Sequence, residues 1–198
     1  RDSSVTGVQT CALPICRGTE KNEQRSALLW RQLADAGDAD AQVQLGLAYR
    51  HGSGVKQDEK QAVELFRKAA EKGDARAEYN LAQCLDAGIG VEKDTAQALQ
   101  WYTLAGEHGS AEAQAHLALS FKQGTRGVEK DDAQAAEWYK RAAENGDPDA
   151  QFNFAVACRT GRGATQDDKL AVQWFRKAAV KGDARAQFNL GWALGNGV

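Results

Sequence analysis

Glycine recurs along this chain at a fixed distance: Gly37, Gly73, Gly109, Gly146 and Gly182 are separated by 36, 36, 37 and 36 residues. A period of that size means a stack of similar units, each resting on its neighbours, in place of one core gathered from distant segments. The single longer interval has a local cause. One extra residue sits in Gly124-Thr-Arg-Gly127, where the other units carry Gly-x-Gly.

Every unit is punctuated at the same offsets. After the glycine comes Asp38, Asp74, Ser110, Asp147 or Asp183, whose side-chain oxygen suits the orphan N–H groups of a helix start. Pro148 falls at a first helical position, where a missing N–H is harmless. The stretch that follows carries Ala41, Leu45, Ala48 and Tyr49, then Ala77, Leu81, Cys84 and Leu85, then Ala113, Leu117, Ser120 and Phe121, then Ala150, Phe154, Ala157 and Cys158. That spacing places one stripe on a helix. Gly52, Gly88, Gly124 and Gly161 end the helix where a positive φ is wanted.

A second helix begins at Asp58, Asp94, Asp131 and Asp167, and Gln61, Gln97 and Gln134 stand three residues after the first three of these. The spacing predicts a reciprocal capping box. Its stripe alternates small residues with rings: Ala62, Leu65, Phe66 and Ala69, then Ala98, Trp101, Tyr102 and Ala105, then Ala135, Trp138, Tyr139 and Ala142, then Ala171, Trp174, Phe175 and Ala178. Neither helix hides its stripe alone, so neighbours must stack. The fold class expected is all-α, a right-handed α-α superhelix of tandem helix-turn-helix repeats. Repeats span 38–73, 74–109, 110–146 and 147–182, between a partial repeat at 26–37 that supplies a second helix and another at 183–198 that supplies a first.

Residues 1–15 are read apart from the fold. Val5-Thr-Gly-Val-Gln-Thr-Cys-Ala-Leu-Pro-Ile15 resembles a translated sequencing-library adapter, and 16–25 is then a junction. The rival reading is a signal sequence with a lipid-attachment cysteine at Cys16, but its apolar stretch is short, broken by Pro14 and without a basic start. No compartment is fixed, with a periplasmic or secreted setting favoured over a cytoplasmic one.

Lysine and arginine number 25 against 27 aspartates and glutamates, interspersed along the chain. Pairs such as Arg67-Lys68, Lys140-Arg141 and Arg176-Lys177 therefore read as solvated helix faces, and no nucleic-acid partner is expected. No apolar run reaches 18 residues, so no membrane span is expected. Setting Cys11 aside, Cys16, Cys84 and Cys158 show neither disulfide nor metal-ligand spacing. Cys84 and Cys158 read as small core hydrophobes.

The run Ala-x-x-x-Leu-Gly-x-x-Tyr-x-x-Gly-x-Gly-Val-x-x-Asp-x-x-x-Ala-x-x-x-Phe-x-x-Ala-Ala-x-x-Gly, from Ala41 to Gly73, resembles the Sel-one-like repeat, a relative of the tetratricopeptide repeat. The resemblance covers residues 26–198. It implies a superhelix whose first helices line a concave groove used to assemble complexes, in bacteria often in envelope, secretion or signalling pathways. Some members resemble cysteine-rich secreted proteins that bind β-lactams and staple each repeat with paired cysteines. Cys84 and Cys158 lack in-repeat partners, so the expected partner is a protein or peptide, the alternative being a protein of the cysteine-rich type that binds or hydrolyses a cell-wall fragment or β-lactam.

With first helices facing inward, the protein-binding groove is expected from Val43, Leu47 and Arg50, from Tyr79, Gln83 and Asp86, from Leu119 and Lys122, from Phe152, Val156 and Arg159, and from Phe188 and Trp192. Tyr79, Phe152, Phe188 and Trp192 are either anchors for a bound segment or rings packed on the neighbouring repeat. Gln44, Asn80, His116, Asn153 and Asn189 form a polar row expected to hydrogen-bond adjacent turns. No catalytic residue, metal site or cofactor is expected. His51, His108 and His116 sit at three different offsets, and Gly52-Ser-Gly-Val-Lys56 lacks the ending of a phosphate loop and recurs as a turn.

Overall fold

The computed structural model describes residues 20–195; the readings of residues 1–15 as adapter-derived and of Cys16 as a lipid site lie outside them. Among the described residues are ten helices and no strand. Helix α1 (Glu20–Asp35) stands first. Four hairpins follow: α2 (Ala39–His51) with α3 (Glu59–Ala70), α4 (Ala75–Ala87) with α5 (Thr95–Glu107), α6 (Ala111–Gln123) with α7 (Asp132–Glu144), and α8 (Pro148–Thr160) with α9 (Asp168–Val180). The last described element is α10 (Ala184–Gly195). Each helix packs on the one before it and the one after it, and no other pair makes substantial contact. That sequential packing is a solenoid. Among the described residues no helix is long and apolar enough to cross a membrane.

The helix starts form as the residues dictate. Asp38, Asp74, Ser110 and Asp147 accept from the backbone N–H of Ala41, Ala77, Ala113 and Ala150. At the other end Gly52, Gly88, Gly124 and Gly161 take left-handed φ values of 73°, 73°, 68° and 69°. The reciprocal capping box, however, forms only by half. Asp58, Asp94 and Asp131 do accept from the N–H of Gln61, Gln97 and Gln134. Their own N–H groups donate instead to the carbonyls of Tyr49, Leu85 and Phe121, each at 2.9 Å. With that donor engaged, the Gln61 amide turns to the Asp58 carboxylate at 3.1 Å. The bond back to the first helix closes each hairpin, a tertiary use of a group that a lone helix would leave open.

The second glycine of each turn has a different task from the first. A Cβ on Gly54, Gly90 or Gly163 would lie 2.2, 2.3 or 1.8 Å from the backbone oxygen of Glu23, Glu59 or Asp132. These turns press on the opening turn of the preceding repeat's second helix, and only a residue without a side chain fits. In the third repeat the extra residue lifts the turn away, and a Cβ on Gly127 would meet nothing within 4 Å.

The core runs along the stack. Phe66, Tyr102 and Phe175 are buried beside alanines at 69, 105 and 178, small residues that let backbones approach while rings fill the space beside them. Cys84 and Cys158 are buried and free, and burial pushes both thiols up.

Inside this core lies a polar register that sequence reading passed over. The amides of Gln42, Gln114 and Gln151 are buried and donate to the carbonyls of Ala34, Gly106 and Ala143 at 3.2, 2.8 and 3.1 Å. Each adds a second donor to a carbonyl at the end of the preceding second helix, which otherwise accepts only at the terminal turn, from the N–H of Gly37, Gly109 or Gly146 at 3.0, 3.2 or 3.1 Å. Glu78 takes the place of glutamine in the second repeat, 1% exposed, with His108 Nδ1 2.9 Å from both of its oxygens. The signal was present: four of five repeats put glutamine four residues after the cap, at 42, 114, 151 and 187.

Candidate protein-binding face

The first helices α2, α4, α6, α8 and α10 present equivalent positions one after another. At the expected groove register Arg50, Asp86, Lys122 and Arg159 are in line. Arg50 donates to Gln83 Oε1 at 3.1 Å, and the Gln83 amide donates to the Tyr79 hydroxyl at 2.8 Å. Lys122 donates to Asn153 Oδ1 at 3.1 Å and stands 5.6 Å above the Tyr139 ring. One repeat later Arg159 donates to Asn189 Oδ1 at 2.5 Å, 5.7 Å above Phe175. Cation, amide and ring thus recur together, and a cation over an aromatic face is itself favourable.

Two open cavities follow that recurrence. One of about 380 Å³ is lined by Lys122, Asp132, Tyr139, Asn153, Val156 and Arg162. Another, of about 350 Å³, lies one repeat further on, lined by Arg159, Asp168, Phe175, Asn189 and Trp192. Each lining combines an aromatic ring, a cation and an amide that hydrogen-bond each other, and a carboxylate. Such a mixture suits a segment that offers both apolar and polar groups.

The second repeat departs from the pattern. Asp86 stands where the others have a cation, and Arg126, from the enlarged turn of the next repeat, donates to it at 2.8 Å and to Ser120 Oγ at 3.2 Å. Arg126 adopts φ 57°, a left-handed conformation uncommon outside glycine, so the enlarged turn delivers a cation to Asp86, the one position of these four that lacks it. His116 replaces the asparagine here. It stacks on Tyr102 with centroids 5.1 Å apart and an interplanar angle of 6°, and its buried Nδ1 has no hydrogen-bond partner among the described residues. Burial holds the His116 imidazole below its ordinary range, with the Arg126 charge adding to the shift.

Several expected groove residues are placed otherwise. Val43 is 1% exposed and lines no surface, because its register turns toward the following helices. The rings at that register do the same. Tyr79 packs on Tyr102 and His116 at 5.8 and 5.6 Å, while Phe152 packs on Phe175 at 5.8 Å and lies 4.4 Å under Arg185. They join repeats. Leu47 is half-buried against the core, Leu119 is exposed, and Phe188, with no described helix after α10, is 76% exposed. The polar row is also corrected: Asn80, Asn153 and Asn189 donate to their own helices, at Arg76, Asp149 and Arg185 carbonyls. What crosses between repeats is the cation received by the oxygens of Asn153 and Asn189, and by Gln83 in the second repeat.

A stack of helical hairpins with glycine-marked turns defines a tetratricopeptide-like solenoid. A model of the Sel1 repeat matches residues 16–38, 39–74, 75–110, 111–147, 148–183 and 184–198. The chain belongs to the Sel1 repeat family. A Sel1 repeat protein from Oxalobacter formigenes superposes with a TM-score of 0.83 at 34% identity, over 86% of this chain and 49% of that one. The c5321 protective antigen of uropathogenic Escherichia coli, which displays an SLR fold, gives 0.81 at 34% identity over 88% and 37%. Helicobacter pylori cysteine rich protein B gives 0.52 at 26% over 69% and 97%. The chain therefore spans 49% and 37% of the first two of these proteins. No curated protein matches it. Sel1 repeat proteins typically serve as protein–protein interaction scaffolds and are generally not enzymes.

Proposed function

We propose that this chain is a non-catalytic binding scaffold that holds an extended or helical protein segment along the face of its first helices. The setting inferred is a bacterial envelope, secretion or signalling assembly. The observation that carries the reading is the pair of cavities one repeat apart, walled by Lys122 with Asn153 and by Arg159 with Asn189. A segment laid across them meets the same chemistry twice, and two linked weak contacts bind far better than either alone. Leu47, Arg50, Gln83, Leu119, Lys122, Val156, Arg159 and Trp192 are the contact residues on this reading, while Tyr79, Asp86 and Phe152 shape the face from beneath. The cysteine-rich alternative draws no support from Cys84 and Cys158, both buried and unpaired.

A displayed random-peptide library panned on the immobilised chain tests the proposal. Enriched peptides are expected to lose binding to Val156→Asp and Leu119→Asp and to keep it for Lys68→Glu on the outer face of α3. Failure of any peptide to enrich, or equal binding to all three variants, would overturn it.

A further inference from the structure

Asp86 is a carboxylate in a row of cations. Arg50, Lys122 and Arg159 hold its register in the other repeats, and each reaches forward to an amide oxygen on the next first helix, at Gln83, Asn153 or Asn189. His116 on the helix after Asp86 lies within reach of its charge, but burial holds that imidazole below its ordinary range, so the cation Asp86 needs comes from the turn beyond.

The way that cation is held has the form of a ligand contact. Arg126 Nε donates to Asp86 Oδ2 at 2.8 Å and a second guanidinium nitrogen donates to Ser120 Oγ at 3.2 Å. Asp86 stands on α4 and Ser120 on α6, so one guanidinium spans two acceptors from neighbouring repeats, as a planar fork of donors can and a compact ammonium cannot. Both acceptors are built in: the Asp86 side chain is 19% exposed, and Ser120 is buried with its hydroxyl donating to the His116 carbonyl at 2.9 Å. The arm that brings Arg126 is held less firmly. Its second glycine, Gly127, presses on nothing, whereas Gly54, Gly90 and Gly163 are clamped against the preceding repeat. The left-handed φ of Arg126 is a strain that release would remove.

From this geometry we infer that Asp86 and Ser120 form a subsite for an arginine side chain, filled in the free chain by Arg126 and yielded to an arginine of the bound partner. The inference rests on the reading that the first-helix face holds a protein segment. Lys122 and Asn153 of the nearer cavity belong to the repeats directly after that of Asp86, so a segment crossing the two cavities reaches Asp86 by continuing along the same face. The exchange sets one guanidinium in place of another on the same two acceptors, and relief of the strained backbone favours it. Asp86 lies beneath the face while Arg126 occupies it and becomes a contact residue when the partner's arginine takes over.

Arg126→Gly empties the subsite without strain, since glycine adopts the same φ freely, and Arg126→Gln is a second emptying variant that keeps a side chain of similar reach. The His116 ring signals in the NMR spectrum report occupancy. Ethylguanidinium chloride, titrated into either variant against sodium chloride of equal ionic strength, is expected to shift them saturably; butylammonium is expected not to, and adding Asp86→Asn is expected to abolish the response. Peptides enriched by panning on the parent chain are expected to carry an arginine and to lose binding when it is replaced by alanine or when the chain carries Asp86→Asn. They are expected to bind Arg126→Gly about tenfold more tightly, as for a subsite that its own arginine fills about nine-tenths of the time. No saturable response, a response that survives Asp86→Asn, or an equal response to butylammonium would overturn the subsite. Enriched peptides without arginine, or with unchanged or weaker affinity for Arg126→Gly, would overturn the exchange. A panning that enriches nothing refutes the scaffold reading and the exchange with it, while the ethylguanidinium titration still decides the subsite.

Discussion

Two glycines with the same place in the motif are expected to differ sharply in what they tolerate. Gly90 has φ 68° and Gly127 has φ 82°, so alanine at either position enters the left-handed region at a cost of about 1–2 kcal/mol. Alanine also stiffens the unfolded chain, by about 0.4–1 kcal/mol, and that term applies to both. What separates them is space. The new methyl at position 90 would lie 2.3 Å from Glu59 O and 2.5 Å from its carbonyl carbon, backbone atoms that cannot rotate away. Relieving the overlap means prising the turn off α3, an overpacking cost of about 1–3 kcal/mol. At position 127 nothing lies within 4 Å. Gly90→Ala is therefore expected to lose about 1–3 kcal/mol more than Gly127→Ala, and in a chain of this size each kcal/mol moves Tm by about 2–4 °C. Thermal and urea unfolding followed at the helical circular dichroism band would show it. Equal losses, or a larger loss at Gly127, would refute the idea that the inserted residue frees the third turn.

The pH dependence of the second repeat junction follows from His116. Because burial lowers its folded-state pKa below the ordinary value of 6.5, the unfolded chain binds the proton more readily; stability is full above about pH 6.5 and falls as pH drops through the interval below it. His116→Asn, the residue used at 80, 153 and 189, is expected to flatten the Tm profile between neutral pH and pH 5, and an unchanged slope would count against that burial. In the polar register Gln114→Leu leaves the Gly106 carbonyl without its 2.8 Å donor and removes the acceptor that Asn145 reaches at 3.0 Å. A loss of about 1–3 kcal/mol is expected in urea. Gln187→Leu, where the equivalent glutamine is exposed, should change stability by less than about 0.5 kcal/mol; similar losses at the two sites would mean that burial is not what gives the bond its value.

Helix ends were legible in the residues and side-chain exposure along the face was not, and the reason lies in what a register position sees. Asp38 caps α2 and Gly52 ends it through atoms within a few residues of themselves, so spacing along the chain was enough to place them. Tyr79 and Phe152 share a register with Val43 and Phe188, yet the first two are half-buried, the third buried and the fourth exposed. Nothing within a helix distinguishes them, since exposure is decided by whichever helices stand beyond. The pairing of Asp86 with Arg126, 40 residues apart, was out of reach for the same reason. It requires the extra residue of the third turn to swing a side chain across a repeat boundary. The glutamine row, by contrast, was legible and overlooked, because the polar row expected to hydrogen-bond adjacent turns was the one two residues further on, at 44, 80, 116, 153 and 189.

From the residues alone came the period, the two helices of each unit, their caps, and the need to stack, all consequences of local backbone preference and of apolar stripes that one hairpin cannot cover. Tertiary structure alone decided that the Asp58 N–H goes to the Tyr49 carbonyl instead of the Gln61 side chain, why Gly54, Gly90 and Gly163 tolerate no Cβ while Gly127 has room for one, and which cations face open cavities. Those depend on distances between segments a repeat apart, and a one-dimensional pattern specifies that such segments meet without specifying how closely.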